Sequence, residues 1–407
     1  MDARADTEPM SQFLVSSSTV SLPSDSILRR RPRWGWKERD PRFGQSFEDR
    51  ALFYDCFAGP QAGEVLLVGP PPLNLAPHYR AARFRALPQG TTLRPQYFVS
   101  LSTAITRLRG VPPGTKAIEI VFGAHRFEAE IAPSLVERFA GRRVLFTMSK
   151  DNSLEWIAAW AQYYARRHAT DAVVVFDNGS TAYAPDRISQ VLSAVPGIAD
   201  HAVLSWPQAY GAIDRAVIFN PYWAQFLQVS SMSVLLRRLA QRAKGIINAD
   251  IDELIETPEG TDIYGLATES SHGLVSMEGQ WVEPVPRPES EAPLLHSDFG
   301  LLLRDEKQRR CSARKWVLDP QREWVSDLGV HPYMHWIERR PPGSKAQPPG
   351  SFFWHFKGIN TNWKTDRARI GKPDDASMTA DALLAKCARH IDKDAAKAAA
   401  RAGIEDQ

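Results

Sequence analysis

Two aspartates one residue apart, Asp250 and Asp252, follow a short apolar run, Gly245-Ile246-Ile247-Asn248-Ala249. If a strand runs through them, period-2 alternation puts both carboxylates on one face. At about 4 Å and an effective dielectric near 20 they would repel by roughly 4 kcal/mol. One of them would then protonate, unless a divalent cation joined them. A hard cation held by one or two carboxylates goes on to bridge substrate phosphates. The pair therefore points to metal–diphosphate chemistry. The same alternation turns Glu253 away, so Glu253 reads as structural support outside the ligand set. An acidic strand-to-turn junction on a solvated surface has the same sequence, so the neighbouring elements must decide.

Those elements can be read from pattern. Val144-Leu145-Phe146-Thr147-Met148 is β-prone. After Ser149-Lys150-Asp151-Asn152-Ser153, Leu154, Ile157, Trp160, Ala161 and Tyr164 recur at helical spacing, with Ser153 as N-cap. Trp156 and Trp160 read as core. Ala172-Val173-Val174-Val175-Phe176 is apolar on both faces, as buried parallel strands are. It ends in Asp177-Asn178-Gly179-Ser180. This is a β-α-β unit, and ligands of open α/β sheets bind at the carboxyl ends of such strands. An amphipathic segment from about 221 to 242 leads into the Ile246-Ile247 strand. Two acidic strand ends, Asp177 and Asp250, would then face one cleft.

Four segments follow along the chain. Residues 1–45 are polar and Ser/Pro/Arg-rich, and read as a poorly ordered arm. Residues 46–140 alternate short apolar runs with turns and read as a β-rich accessory module. Residues 141–370 hold the α/β pattern. Residues 371–407 end in an Ala-rich helical tail. Prolines at 284, 286, 288 and 293 mark a flexible connection that could serve as a lid.

Composition excludes several classes. A net charge of +3 over 407 residues argues against a dedicated nucleic-acid binder. Cys56, Cys311 and Cys387 are scattered, which argues against a disulfide framework or structural zinc and suits a reducing compartment. No apolar run approaches the roughly 18 residues of a spanning helix, and the start of the chain lacks a signal-peptide pattern. A cytoplasmic protein is expected. The basic, Trp-containing stretch 29–37 reads either as a disordered arm or as a peripheral contact with the inner face of a membrane.

On these residues the chain resembles nucleotide-sugar glycosyltransferases of the GT-A fold, near the family-2-like and family-92-like bacterial enzymes. Three motifs carry the resemblance in order: Phe146 to Asn152 followed by Glu155-Trp156, Phe176-Asp177-Asn178-Gly179-Ser180, and Asp250-Ile251-Asp252-Glu253-Leu254. A fourth, His355-Phe356-Lys357-Gly358 with Trp363, is similar to the C-terminal His-Phe-x-Gly motif of family-8 enzymes. That family's Lys-Pro pair is replaced here by Thr361-Asn362. The family's opening Glu is Ser153. The resemblance covers about residues 143 to 366.

It implies a mixed Rossmann-like sheet flanked by helices, Mn²⁺ or Mg²⁺, and a nucleoside-diphosphate sugar donor, a UDP-sugar first. The acceptor would be a glycan, polysaccharide or lipid-linked molecule. Asp250, Asp252 and His355 are the implied metal ligands, with His331 as the rival histidine. Lys150, Asp177, Asn178, Lys357, Gly358 and Lys364 are the implied nucleotide and diphosphate contacts. The chemistry would be Lewis-acid neutralisation of a diphosphate leaving group, aided by a lysine. An inverting enzyme also needs a carboxylate base, for which Glu278, Glu283, Asp298 and Asp327 are candidates. Two other readings compete. A sugar nucleotidyltransferase would need a glycine-rich loop where residues 149–153 have no glycine. A non-catalytic glycan-binding protein with a relict fold would not need the three acids.

Overall fold

The computed structural model describes residues 14–344, 347–361, 374 and 376–402. It is a mixed α/β structure built on one nine-stranded sheet. The strands in chain order are β1 Leu14–Val15, β2 Arg143–Ser149, β3 Ala172–Asp177, β4 Asp200–Ser205, β5 Gly245–Asn248, β6 Glu253–Glu256, β7 Leu274–Val282, β8 Arg310–Leu318 and β9 Phe352–Phe356. Their order across the sheet is β1-β4-β3-β2-β5-β8-β7-β9-β6. The first five in that order are mutually parallel. β8 then runs antiparallel to both β5 and β7.

The parallel half forms where the sequence is apolar on both faces. Every residue of β3 and β5 is buried, because helices and loops cover each side. From β2 the chain moves outward to β3 and β4, then returns to the other side of β2 with β5. The direction reverses there, so a crevice opens at the carboxyl ends of β2 and β5.

Helix α1, Leu154–His168, lies on one face. Ser153 caps it by accepting from Trp156 N–H at 3.2 Å, and Arg166, Arg167 and His168 in its last turn suit the negative end of the helix dipole. Ile157, Trp160 and Tyr164 are buried in its core stripe. Helix α2, Pro185–Ser193, joins β3 to β4. Helix α3, Phe226–Val234, is shorter than the 221–242 pattern predicts. It widens over Leu235–Leu239, where Ala240 N–H reaches back five residues to Leu235 O at 2.8 Å. That turn directs Arg238 inward onto Asp55 at 2.8 Å, with both side chains buried.

Residues 55–130 form two four-stranded antiparallel sheets, one including Glu64–Gly69 and the other Ala117–Phe122. One core cluster runs from this β-rich region into the main sheet, joining Phe57, Leu66 and Ile105 to Phe146, Phe176 and Trp206. The expected loose arm is packed from residue 14 onward. β1 adds to the sheet edge beside β4, and Arg30 is buried, donating to Pro71 O at 2.9 Å. Polar composition concealed this, although Val15, Val20, Leu22 and Phe43 of the arm are buried. The tail is two helices, Ala382–Ala388 and Lys393–Arg401, with Asp392 capping the second. The proline-rich loop lies against α1, where Leu294 O accepts from Trp156 Nε1 at 2.8 Å. No helix among the described residues is long and apolar enough to cross a membrane.

At the far edge of the sheet, β6 pairs with β9 on one side only. Side chains of α1 bond to its other side. The Tyr164 hydroxyl donates to Glu253 O and accepts from Ile255 N–H, both at 3.1 Å. Tyr163 donates to Ile255 O at 2.6 Å. His168 Nε2 meets the same carbonyl at 2.9 Å. Burial pushes that imidazole down to about 3, so it is neutral.

Candidate functional site

A cleft of about 760 Å³ opens at the carboxyl ends of β2 and β5. This is within the ~300–1,000 Å³ range of sites that hold a small organic ligand. Lys150 and Asn152 from the β2 exit, Asn178 from the β3 exit, and Asp250, Asp252 and His355 all line it.

Asp250 to Glu253 is a tight turn rather than a strand. Glu253 N–H donates to Asp250 O at 3.0 Å, and β6 starts afresh at Glu253. The turn cancels the alternation expected of a continuous strand, and Glu253 swings inward. It is 1% exposed and belongs to the cluster that the sequence reading denied it. Potential donor atoms of Asp252, Glu253 and His355 lie within 4.8 Å of one another. His355 Nε2 is 3.0 Å from Asp252 Oδ2, and its Nδ1 is 3.8 Å from Glu253 Oε1. β9 delivers the histidine in register, with Glu253 paired to His355 across the ladder. Trp281 stacks on the imidazole at 4.1 Å.

Lys315, buried on β8, is the central counter-charge. Its Nζ lies 2.8 Å from Asp250 Oδ2 and 2.8 Å from Glu253 Oε2. Burial works against its charge, yet the two carboxylates hold its pKa above the usual lysine range. Burial also pushes the Glu253 carboxyl up, opposed by Lys315. For His355, burial alone would lower the pKa. The charge and hydrogen bond of Asp252, with lesser help from Cys311 and Glu253, hold it up at about 10.

Among the described residues, Asp250, Asp252 and Glu253 gather round Lys315, and these four side chains carry two net negative charges when His355 is neutral. A divalent cation would offset that charge, and the carboxylate oxygens are of the kind that suit Mn²⁺ or Mg²⁺. Without a cation, a proton on His355 offsets part of the same excess. Lys315, Trp281 and Cys311 were missed in the sequence. Lys315 had left a signal, a lone lysine before Trp316-Val317-Leu318 in a fully buried run, where a charge needs partners.

The other expected contacts separate. Asp177 is buried at the end of β3, and its carboxylate accepts from both the hydroxyl and the N–H of Ser180. It closes its own turn and does not line the cleft. Asn178 donates to Trp206 O at 2.7 Å and Gln208 O at 2.9 Å, tying the β3 and β4 exits together. Lys357 leaves the cleft for Glu283 at 2.7 Å. At Gly358 a Cβ would stand 2.4 Å from the Phe299 ring, so that glycine permits packing. His331 is buried beside Arg237 and Arg339 and does not reach the cluster. Lys364 lies outside the described residues.

None of the four candidate bases lines the cleft. Glu278 pairs with Arg310 and Arg314, Glu283 with Lys357 and Asp298 with Lys393. Asp327 accepts from Gly329 N–H at 2.9 Å. Among known proteins, no family model matches the chain and no curated protein matches it.

Proposed function

We propose that the chain is a metal-dependent glycosyltransferase of the GT-A fold, taking its sugar from a nucleoside diphosphate. One observation supports this best. Asp252 and Glu253 meet His355, 103 residues beyond Asp252, in a cleft of nucleotide-sugar size at the carboxyl ends of the parallel strands β2 and β5.

Asp252, Glu253 and His355 would hold Mn²⁺ or Mg²⁺, with Asp250 beside them. The bound cation supplies charge neutralisation for the diphosphate leaving group. Lys150 adds positive charge from the β2 exit, where it meets anionic oxygens as negative charge develops. Lys315 holds Asp250 and Glu253 in place by ion pairs at 2.8 Å, so the ligand set is formed before substrate arrives. Trp281 and Cys311 set the plane of the His355 ring, as outer partners of a ligating histidine do.

The test is a thermal-shift panel of nucleoside-diphosphate sugars with and without Mn²⁺. A true donor at 100 times its Kd stabilises by about 2.7 kcal/mol, and that gain should require the metal. A shift by nucleoside triphosphate with a sugar phosphate, and by no diphosphate sugar, would replace this reading with nucleotidyl transfer. No metal-dependent shift by any nucleotide would refute both.

A further inference from the structure

Among the described residues ten large hydrophobic side chains stand exposed, and four of them, Ile213, Ile218, Phe219 and Tyr222, sit on the loop between β4 and α3. A fifth, Trp36, belongs to the basic N-terminal segment packed beside that loop. Ile218 is 92% exposed, Phe219 78% and Trp36 79%. Grouped exposure of this kind marks an interaction surface.

The surface is built rather than loose. A bridge joins Ala212 to Ala224 at the base of the loop, and Asp214 N–H donates to Pro221 O at 2.7 Å. Gly211 has φ +121°, and a Cβ there would meet Ala224 O at 2.3 Å. The buried Asp214 carboxylate takes Arg39 Nε at 3.0 Å and Trp223 Nε1 at 2.9 Å. One carboxylate thus ties the arm to the loop. Trp34 sits edge-on to both Phe219 and Trp223, at 5.4 and 5.8 Å.

Charge identifies the occupant. Residues 29–42 carry seven cations and two carboxylates. Arg30 is buried and Arg39 is held by Asp214, but Arg31 and Arg215 are exposed and Lys37 is half-exposed. We propose that this face docks on an anionic lipid surface, with Ile218, Phe219 and Trp36 entering the headgroup–acyl boundary and Arg31, Lys37 and Arg215 meeting the headgroups. Aromatic and aliphatic tips among basic residues fit that layer. A second copy would bring like charge against like. Ile213 and Tyr222 belong to both this face and the cleft wall, so docking sets the cleft mouth at the lipid surface. On the glycosyl-transfer reading, and resting on it, the acceptor is then lipid-borne.

The test is sedimentation of the full chain with vesicles of phosphatidylcholine alone and of phosphatidylcholine mixed with phosphatidylglycerol. The protein should pellet with the anionic vesicles only, and less as salt rises. The double variants Ile218→Ser/Phe219→Ser and Arg31→Glu/Lys37→Glu should each lower the bound-to-free ratio by about tenfold or more. Leu383→Ser, exposed elsewhere, should not lower it. Unchanged thermal unfolding checks that the variants fold. Metal-dependent nucleotide-sugar binding without vesicles should persist in the Ile218/Phe219 variant, so the vesicle result and the donor panel stand or fall separately. No pelleting with either vesicle, binding indifferent to both double variants, or a loop-dependent dimer without vesicle binding would overturn the proposal.

Discussion

Two acidic turns close strands on the same edge of the sheet and have opposite fates. Asp177 ends β3, and its carboxylate accepts twice from Ser180, three residues on. Asp250, Asp252 and Glu253 follow β5; Asp250 N–H donates to Glu253 Oε2 at 3.0 Å within the turn, but the cationic partners come from far along the chain. Lys315 is 65 residues from Asp250, and His355 is 103 from Asp252. The first turn satisfies itself. The second draws its counter-charges from tertiary structure, and it faces a cleft. In this molecule the carboxylate that closes its own turn stays out of the cleft, and the one partnered across the sheet lines it.

The largest expected effect that would break this contrast is at Asp252. Asp252→Ala should lower transfer from the donor found by the panel about 10³-fold, some 4 kcal/mol, and abolish the Mn²⁺ thermal shift while the unfolding transition persists. Near-normal turnover would remove Asp252 from the site. Next is Lys315→Met, which strands the buried Glu253 charge. Its cost should be about 3–5 kcal/mol by denaturant unfolding, and Mn²⁺ should restore part of it. A variant as stable as the parent would show that Lys315 is not the counter-charge.

The third test titrates the cluster. His355 has an ordinary value of 6.5 and is held at about 10 in the fold. A pKa raised by folding contributes stability that is full below about 6.5 and is lost as pH rises through about 10. The metal-free protein should lose on the order of 4 kcal/mol across that window. Saturating Mn²⁺ or His355→Gln should flatten the slope. An equal slope in the His355→Gln protein would assign it elsewhere. The smallest effect is at the self-satisfied turn. Asp177→Ala should cost about 1–2 kcal/mol of stability for two hydrogen bonds and change turnover only a few-fold. A loss of turnover as large as that of Asp252→Ala would erase the distinction between the turns.

Much of this arrangement was legible in local pattern. Ser153 capping α1, the doubly apolar β3 and the Ile246-Ile247 strand are consequences of sequence within one element, and each forms with those residues. The inward turn of Glu253 was not legible, because alternation assumes that a strand continues, and Asp250 to Asp252 are not strand. What Lys315 and Trp281 touch was hidden for another reason. β8 and β7 become neighbours of β5 and β9 only through sheet order, which no window of sequence contains. Lys357 and Gly358 followed a motif into the right strand end, but Glu283 and Phe299 decide what they touch.

The hydroxyls of Tyr163 and Tyr164 and the imidazole of His168 have one more consequence, for how the molecule behaves in a crowd. The strand that starts at Glu253 is the last of its sheet, and such a margin ordinarily invites a foreign strand to add itself. Here side chains of a helix already take up Glu253 O, Ile255 N–H and Ile255 O. A visiting polypeptide finds no template for self-assembly along this border, so the segment bearing the acidic cluster is also protected from runaway polymerisation.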